Sequence, residues 1–231
     1  MSDIDRSAIV TGASRGLGLE LARELAANGW SVVVDARDAA ALGTAVGELP
    51  TVAAVAGDVT DASHRRALVA EARARGELRL HNNNASWLGP SPLPPLADYP
   101  LDAVLRVYET NVFAPLALIQ LCLPDLAAAT GTIVNVSSDA AVEGYQGWGG
   151  YGSSKAALEQ LSRVVAVERP EVRVYWVDPG DMNTRMHQDA YPGEDISDRP
   201  PPGASVPGIM RLVVERPPSG RYQARSLAAS T

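Results

Sequence analysis

The feature that most constrains this chain is a glycine-rich turn set between a strand and a helix. Ser7-Ala8-Ile9-Val10 is a short apolar run that passes directly into Thr11-Gly12-Ala13-Ser14-Arg15-Gly16-Leu17-Gly18, and a helix-patterned stretch, Leu19 to Ala27, follows. Glycines permit the tight turn and let the backbone approach a pyrophosphate, whose charge the N–H groups and positive dipole end of the helix would meet. A plain βα loop with excess glycine is the competing reading of the turn taken alone. The strand-turn-helix context favours the nucleotide.

The chain keeps the βα rhythm that this turn begins. Trp30 to Val34 is a β-branched run that reads as the second parallel strand and ends at Asp35-Ala36-Arg37-Asp38, where the adenosine ribose of a dinucleotide would lie. An acid there holds the 2′-hydroxyl of NAD, whereas an arginine accepts the 2′-phosphate of NADP. Both are present: Arg37 with Arg15 favours NADP(H) over NAD(H), and Asp35 argues the other way. Val52 to Val55 leads to Asp58-Val59-Thr60-Asp61, where Asp58 is expected to meet an adenine amino group and Asp61 to cap a helix from Ala62 to Arg75. Leu78 to Ala85 falls where a fourth strand belongs, yet His81, Asn82, Asn83 and Asn84 make it unusually polar for a strand covered on both faces. Asn83 and Asn84 would pin the loop beside a cofactor or form an Asn-rich turn, and His81 reads as a hydrogen-bonded strand residue. A Pro-rich loop from Trp87 to Pro100 precedes a long helix from Leu101 to about Leu126. Within it Asn111 must find a partner or cost about 1 to 3 kcal/mol. Thr132 to Val136, Val172 to Val177 and Gly220 to Ala224 complete the strands, with a short helix at Val206 to Val214 and a mobile tail after Leu227. The stretch from Asp181 to Gly208 reads as loop, with a substrate lid around 185 to 208. The expected architecture is α/β: one domain over residues 1 to 231, a doubly wound parallel sheet of Rossmann type with helices on both faces.

The chemistry concentrates between Ser138 and Lys155. Ser138 follows the strand Thr132 to Val136, and the chemistry of open α/β sheets gathers beyond the carboxyl ends of strands. Tyr151-Gly152-Ser153-Ser154-Lys155 precedes an apolar helical run; if that helix begins near Ser153, the four-residue offset brings phenol and ammonium together. A free tyrosine titrates near pH ~10, and a neighbouring cation draws that value toward the range of a general acid or base. Lys155 is the only lysine in the chain, which singles out a role that arginine cannot fill. The bland alternative is a surface pair at a helix start. Gly144, Gly147, Gly149, Gly150 and Gly152 imply tight turns or close approach in the intervening segment.

Bulk properties exclude several classes. A net charge of −7 argues against nonspecific nucleic-acid binding, and no apolar run approaches the roughly 18 residues of a membrane span. Met1 to Arg6 has neither a basic leader nor an apolar core, so a cytoplasmic address is expected. The single Cys122 permits no internal disulfide and reads as a small core residue.

Taken together, these segments resemble the short-chain dehydrogenase/reductase family over nearly the whole length. Thr11 to Gly18 matches its cofactor turn and Asn83-Asn84-Ala85 its Asn-Asn-Ala-Gly loop, with Ser86 in place of the last glycine. Asn111, Ser138, Tyr151 and Lys155 match its catalytic tetrad, and Pro179-Gly180 with Thr184 its nicotinamide-binding segment. The resemblance implies hydride transfer between a nicotinamide and a ketone, aldehyde or secondary alcohol, with an apolar or aromatic substrate and no metal. Tyr151 would pass a proton to the developing alkoxide and Ser138 would hold the carbonyl oxygen. Lys155 would lower the Tyr151 pKa and hold the nicotinamide ribose, and Asn111 would keep a water. Cofactor contacts are implied for Gly12, Ser14, Arg15, Gly16, Leu17, Gly18, Arg37, Asp58, Val59, Asn84, Ala85, Tyr151, Lys155, Pro179, Gly180, Met182 and Thr184, with Arg15 and Arg37 resembling the family's NADP-type pair. Trp87, Tyr145, Trp148, Met182, Met186 and Tyr191 are candidates for the pocket wall or for the core. A homodimer or homotetramer through the helices Leu101 to Leu126 and Ser153 to Val167 is also implied. A non-catalytic dinucleotide-binding regulator is the alternative, and the intact tetrad speaks against it. An epimerase or dehydratase of the related extended group would need a longer substrate region.

Overall fold

Among the described residues, seven strands form one parallel sheet: β1 (Arg6–Val10), β2 (Ser31–Ala36), β3 (Val52–Ala56), β4 (Glu77–Asn83), β5 (Thr132–Val136), β6 (Arg173–Asp178) and β7 (Gly220–Gln223). Their order is β3-β2-β1-β4-β5-β6-β7, and every neighbouring pair is parallel. The chain winds outward from β1 to β3, then returns to β4 and winds the other way, so the direction reverses between β1 and β4. That reversal opens a crevice at the carboxyl ends of the two strands. This computed structural model describes residues 6–229; the expectation that Met1 to Asp5 carry no secretory-signal character and the reading of the last tail residues Ser230 and Thr231 lie outside the described residues.

The helices are α1 (Gly16–Ala27), α2 (Ala39–Val46), α3 (Ala62–Ala74), α4 (Leu101–Tyr108), α5 (Ala114–Ala128), α6 (Gly149–Glu168), α7 (Arg185–Ala190), α8 (Val206–Glu215) and α9 (Ala224–Ala228). The two-residue period of the strands divides the core into two layers. Ala8, Val10, Val32 and Val34 face Leu21 and Leu25 of α1 and Ile209 of α8, whereas Ile9, Val33 and Ile133 face Leu68 of α3, Leu118 of α5 and Val165 of α6. Each such side chain removed from water contributes roughly 1.5 to 3 kcal/mol, which is why runs too apolar for a half-exposed strand sit between helices.

Three segments differ from the sequence expectation. First, α6 starts at Gly149 rather than Ser153, so three glycines stand in its first turns. They serve close packing: a Cβ at Gly150 would lie 2.5 Å from the Tyr99 ring, and one at Gly152 would lie 2.5 Å from the Ala140 carbonyl oxygen. Second, residues 181 to 208 are not all loop, since they contain α7 and a 3-10 turn at Pro202–Ser205, and α9 occupies the start of the expected mobile tail. Third, the long helix runs on from Leu101 to Ala128 but widens to a π-helical turn at Glu109–Phe113, which carries Asn111. This 28-residue stretch is long and apolar enough to cross a bilayer by length and composition, contrary to the sequence expectation; 44% of its most apolar window is packed inside the protein.

The polar strand β4 has a structural reason. His81 Nε2 lies 3.0 Å from Asn83 Oδ1, and Asn83 Nδ2 donates over 2.8 Å to Asn135 Oδ1 on the neighbouring strand. Asn135 Nδ2 donates over 2.7 Å to Ser162 Oγ of α6, which donates in turn to the Leu158 carbonyl. The amides of Asn83 and Asn135 are therefore paired, and the chain of bonds ties β4 through β5 to α6, whereas Asn82 Oδ1 and His81 Nδ1 are buried without a partner. Asn83 belongs to the strand and does not pin a loop.

Candidate active site

The glycine turn is clamped from β4. Asn84 Nδ2 donates to the carbonyls of Thr11 (2.8 Å) and Gly12 (3.1 Å), while Thr11 Oγ1 accepts from the N–H groups of Asn84 and Ala85, each at 3.0 Å. Gly12 is required twice over: its φ is +69°, and a Cβ there would meet the Ala85 Cα at 2.8 Å. Gly18 packs against the Asn84 amide, where a Cβ would lie 2.5 Å from Nδ2. Beyond the turn, α1 starts with no side chain capping its first N–H groups, leaving these donors and the dipole end for an anion. A cleft of about 750 Å³ runs past it, lined by Gly12, Ser14, Arg15, Gly16, Leu17, Arg37, Asp58, Val59, Asn84 and Ala85, and reaches Tyr151, Lys155, Pro179, Met182 and Thr184. A dinucleotide fits this donor set and a cleft of this volume. Gly18 and Gly180 stand outside that lining; Gly180 borders a smaller side pocket.

At the adenosine end the competing signals separate. Asp35 is buried, and both of its oxygens are engaged: Oδ1 accepts the Gly12 N–H at 2.7 Å and Oδ2 lies 3.0 Å from His64 Nε2. It is committed to supporting the turn through both oxygens. Arg15 and Arg37 are exposed on the cleft rim. Asp58 Oδ1 accepts from Thr60 N and Oγ1 at 2.9 and 2.8 Å. Burial works to raise the Asp58 carboxyl, but these bonds and the Arg37 charge outweigh it and leave it below its ordinary value. Asp61 caps α3 as expected, accepting from Ser63 and His64.

At the other end, Tyr151 and Lys155 are both buried, at 7% and 2% exposed. Lys155 Nζ donates over 2.8 Å to the Val136 carbonyl and lies 5.4 Å from the Tyr151 ring centre. Burial lowers Lys155 to about 7. The expected downward pull of the lysine on Tyr151 is not what dominates: burial raises the phenol above its ordinary value, the neighbouring Ser86 hydroxyl works against it, and the charges of Asp139 and Asp178 add to it. Asn111 spends its whole side-chain amide on the protein. Oδ1 accepts from Ser86 Oγ (3.0 Å) and Trp87 N (2.8 Å), and Nδ2 donates to Trp87 O (2.9 Å) and Ser154 Oγ (3.0 Å). No capacity remains on that amide for water. Ser138 Oγ donates to Asp139 Oδ1 at 2.8 Å and accepts from Ala140 N at 3.2 Å.

Ser138 and Tyr151 meet in the side pocket, of about 90 Å³, whose wall includes Trp148, Met182, Met186 and His187. Trp148 stands edge-on to Tyr151 with ring centres 5.7 Å apart and also touches Tyr191 and Tyr145. Tyr145 itself is turned outward to Asp139 and Glu143, and Trp87 lines the main cleft under Arg106. Thr184 caps α7, accepting from His187 N at 3.3 Å, so the segment expected to meet the nicotinamide and the pocket wall are one unit.

Sequence reasoning missed the support behind Ser138. The buried Glu159 accepts from Ser137 Oγ (2.6 Å), Arg221 Nε (2.9 Å) and Arg163 (3.1 Å), while Arg221 also donates to the Ser138 carbonyl at 3.1 Å. The signal available was an acid one helical turn after Lys155, on the same buried face.

A family profile described as short chain dehydrogenase matches residues 6–195. Benzil reductase ((S)-benzoin forming) of Saccharomyces cerevisiae is 36% identical over 192 residues, covering 78% of this chain and 73% of that protein. L-xylulose reductase of Bos taurus is 32% identical over 221 residues, covering 94% and 83%. A short chain dehydrogenase of Shigella flexneri solved with NADP superposes with a TM-score of 0.88 at 27% identity, covering 96% of this chain and 98% of that one. Sequence and fold agree over the glycine turn, the Tyr151 helix and the sheet that joins them, so the chain belongs to the short-chain dehydrogenase/reductase family and is an oxidoreductase that works with a nicotinamide dinucleotide.

Proposed function

We propose that the protein is an NADP(H)-dependent reductase of apolar, aryl-bearing ketones or aldehydes, with the reverse alcohol oxidation open to it. The observation that carries this is the convergence of buried Tyr151 and Lys155 on the cleft whose far end is the clamped glycine turn. When bound, the cofactor supplies hydride. Tyr151 holds the proton that the substrate oxygen receives, and Ser138 turns from Asp139 to donate to the same oxygen. Lys155 holds the nicotinamide ribose beside Tyr151. Asn111 fixes the Trp87 turn against Ser154 of α6, and any water held there rests on its main chain. The glycine turn, Asn84, Val59 and Thr184 hold the rest of the dinucleotide.

NADP(H) is favoured because Asp35 is buried and bound to Gly12 and His64 while Arg15 and Arg37 stand exposed on the rim. An aryl substrate suits Trp148, Met182 and Met186, and the carboxylates of Asp139, Asp178 and Asp181 around the side pocket disfavour an anionic one. The benzil reductase relative supports the same class. Residues 185 to 208 cover the pocket as part of one domain over the whole chain. Leu101 (79% exposed), Leu105, Phe113, Val164 and Val167 (81%) offer the apolar helix faces through which copies would pair as a homodimer or homotetramer. The single, buried Cys122 suits a reducing cytoplasm.

The test is a titration of NADPH and NADH into the protein, followed by reduced-nicotinamide absorbance against aryl and aliphatic ketones. NADPH is expected to bind more tightly and an aryl ketone to turn over faster. Tighter binding of NADH removes the role given to Arg15 and Arg37, and cofactor binding without turnover of any carbonyl supports the non-catalytic regulator instead.

A further inference from the structure

The Ser138 hydroxyl can turn from Asp139 to a substrate oxygen, but the main chain it turns from must stay in place, and the sheet does not reach that far. The last rung of β5 on β6 is Ser137 N to the Val177 carbonyl at 2.7 Å; Ser138 follows it as extended backbone at the cap of the 3-10 turn Asp139–Ala141. Its carbonyl accepts from Ala141 N at 3.2 Å, within its own loop, and from Arg221 Nη2 at 3.1 Å, from outside that loop. We propose that Arg221, on the edge strand β7, is a positioning residue that acts through Ser138, fixing the main chain from which its hydroxyl is aimed. This inference rests on the reading of Ser138 as the second donor to the substrate oxygen and adds to it the residue that aims the donor.

One guanidinium joins three elements whose relative placement the reaction depends on. Nε donates over 2.9 Å to Glu159 Oε1 on α6, one helical turn beyond Lys155, and the same oxygen accepts the Ser137 hydroxyl at 2.6 Å. Nη2 donates to the Ser138 carbonyl and lies 3.5 Å from Asp178 Oδ2 at the end of β6, while Asp178 Oδ1 accepts from Gly180 N at 2.9 Å. The helix of Tyr151 and Lys155, the loop of Ser138 and the turn that leads to Met182 and Thr184 are thus held to one planar group. Arg221 reaches them because β7 pairs with β6 in a register that sets it opposite Trp176. It comes from 62 positions beyond Glu159, 83 beyond Ser138 and 43 beyond Asp178.

The fork is what suits arginine to this place. Its donors lie in one plane at fixed angles, so the bond to Glu159 sets the direction of the bond to Ser138. A lysine would keep the charge and lose the second direction. Without Arg221, the buried Glu159 still accepts from Ser137 and Arg163, so most of the interior network survives and the loss falls on the Ser138 main chain. Arg221 is not part of the cleft lining, so the cofactor does not depend on it directly. A displaced Ser138 costs rate more than binding, because its bond strengthens on the charge that develops at the substrate oxygen as hydride arrives.

The experiment uses Arg221→Gln and Arg221→Lys in the full chain, each alone and combined with Ser138→Ala, with two readouts. The first is reduction of an aryl ketone by NADPH. Both single variants are expected to lose about tenfold in kcat, less than the roughly 10² to 10³ that loss of an oxyanion donor costs outright, with NADPH affinity within about twofold. In the Ser138→Ala background, where no hydroxyl is left to aim, the same substitutions should change kcat by less than about twofold. Full activity in either single variant, an equal loss in both backgrounds, or a loss confined to NADPH affinity overturns the proposal. The second readout needs no turnover and decides the matter if Ser138→Ala is too slow to time. The Ala140 N–H bonds to Ser138 Oγ at 3.2 Å and Asp139 Oδ1 at 2.8 Å, and its hydrogen exchange by NMR should quicken at least about tenfold in Arg221→Gln while that of Val134 within β5 stays as in wild type. Unchanged Ala140 exchange overturns the proposal, and faster Ala140 exchange in a protein that turns over no carbonyl would uphold Arg221 and defeat the functional reading instead.

Discussion

The two ends of the cleft are held together by different kinds of bond. At the glycine turn, side chains bond to main chain: Asn84 to the Thr11 and Gly12 carbonyls, Thr11 to the N–H groups of Asn84 and Ala85, Asp35 to the Gly12 N–H. At the Tyr151 end, side chains bond to side chains in the interior: Asn111 to Ser154, Asn135 to Ser162, Ser137 to Glu159. The first arrangement shapes an open space, with buried polarity at risk chiefly in the Asp35–His64 pair behind it. The second fills its space, so each partner removed leaves a buried group unpaired. Changes at the glycine end should therefore weaken binding more than folding, and changes at the Tyr151 end the reverse, except where the altered atom is the reacting one.

That exception has the largest expected effect. Tyr151→Phe keeps the ring and its edge-on contact with Trp148 and deletes the hydroxyl alone. Turnover should fall by about 10² to 10⁴, the usual worth of a general acid, while the fluorescence-titrated affinity for NADPH stays within about twofold. Near-normal kcat would remove Tyr151 from the chemistry.

Glu159→Leu comes next and should act on stability. It abandons Ser137 Oγ and two arginines, of which Arg163 and Arg221 retain contact with water, so about 3 kcal/mol is expected, the low end for breaking a buried pair. Denaturant midpoints measure it; a loss below about 1 kcal/mol would mean that the interior network does not bear on folding as argued.

His81 tests the same interior through pH. Burial draws its pKa to about 4, with the Asn83 hydrogen bond opposing, so the folded state keeps it neutral while the unfolded chain takes up a proton below about 6.5. Between these values the unfolded state binds more protons, and stability rises with pH. The contribution is fully present above about 6.5 and is lost as pH falls through 4, to a total of roughly 3 kcal/mol. Denaturant midpoints at pH 7 and pH 4.5 should differ in wild type and converge in His81→Gln, and an unchanged slope would place the acid sensitivity elsewhere.

The same contrast explains what could be read from sequence. The glycine turn, the parallel strands and the Tyr151 to Lys155 spacing were readable because local backbone demands select them: positive φ at Gly12 and Gly16, period 2 in β1 and β2, one helical turn between Tyr151 and Lys155. The buried pairs were not readable. His81 and Asn83 find their partners through Asn135, 52 positions from Asn83, and Asp35 is claimed by His64, 29 positions away on α3. A polar strand or an ambiguous acid is explained only when the register between β4 and β5 and the packing of α3 are known. The start of α6 was misplaced for a related reason: Gly149, Gly150 and Gly152 look like turn residues until Tyr99 and Ala140 are seen pressing on them.

Gly16 supplies the smallest effect on folding and the clearest discrimination between the two ends. Its φ is +61°, and a Cβ built there meets only the Thr184 Cγ2 at 3.7 Å, an ordinary contact. Gly16→Ala should thus cost only the left-handed backbone conformation, about 1 to 2 kcal/mol, with no buried group orphaned. The added methyl nevertheless stands in the cleft at the first residue of α1, between the helix N-terminus and Thr184, where a pyrophosphate must approach the backbone closely. A loss of NADPH affinity of at least tenfold is expected beside a small drop in the denaturant midpoint. If the variant binds NADPH normally, the phosphates do not pass over Gly16, and the assignment of this end of the cleft to the dinucleotide fails even though the fold is intact.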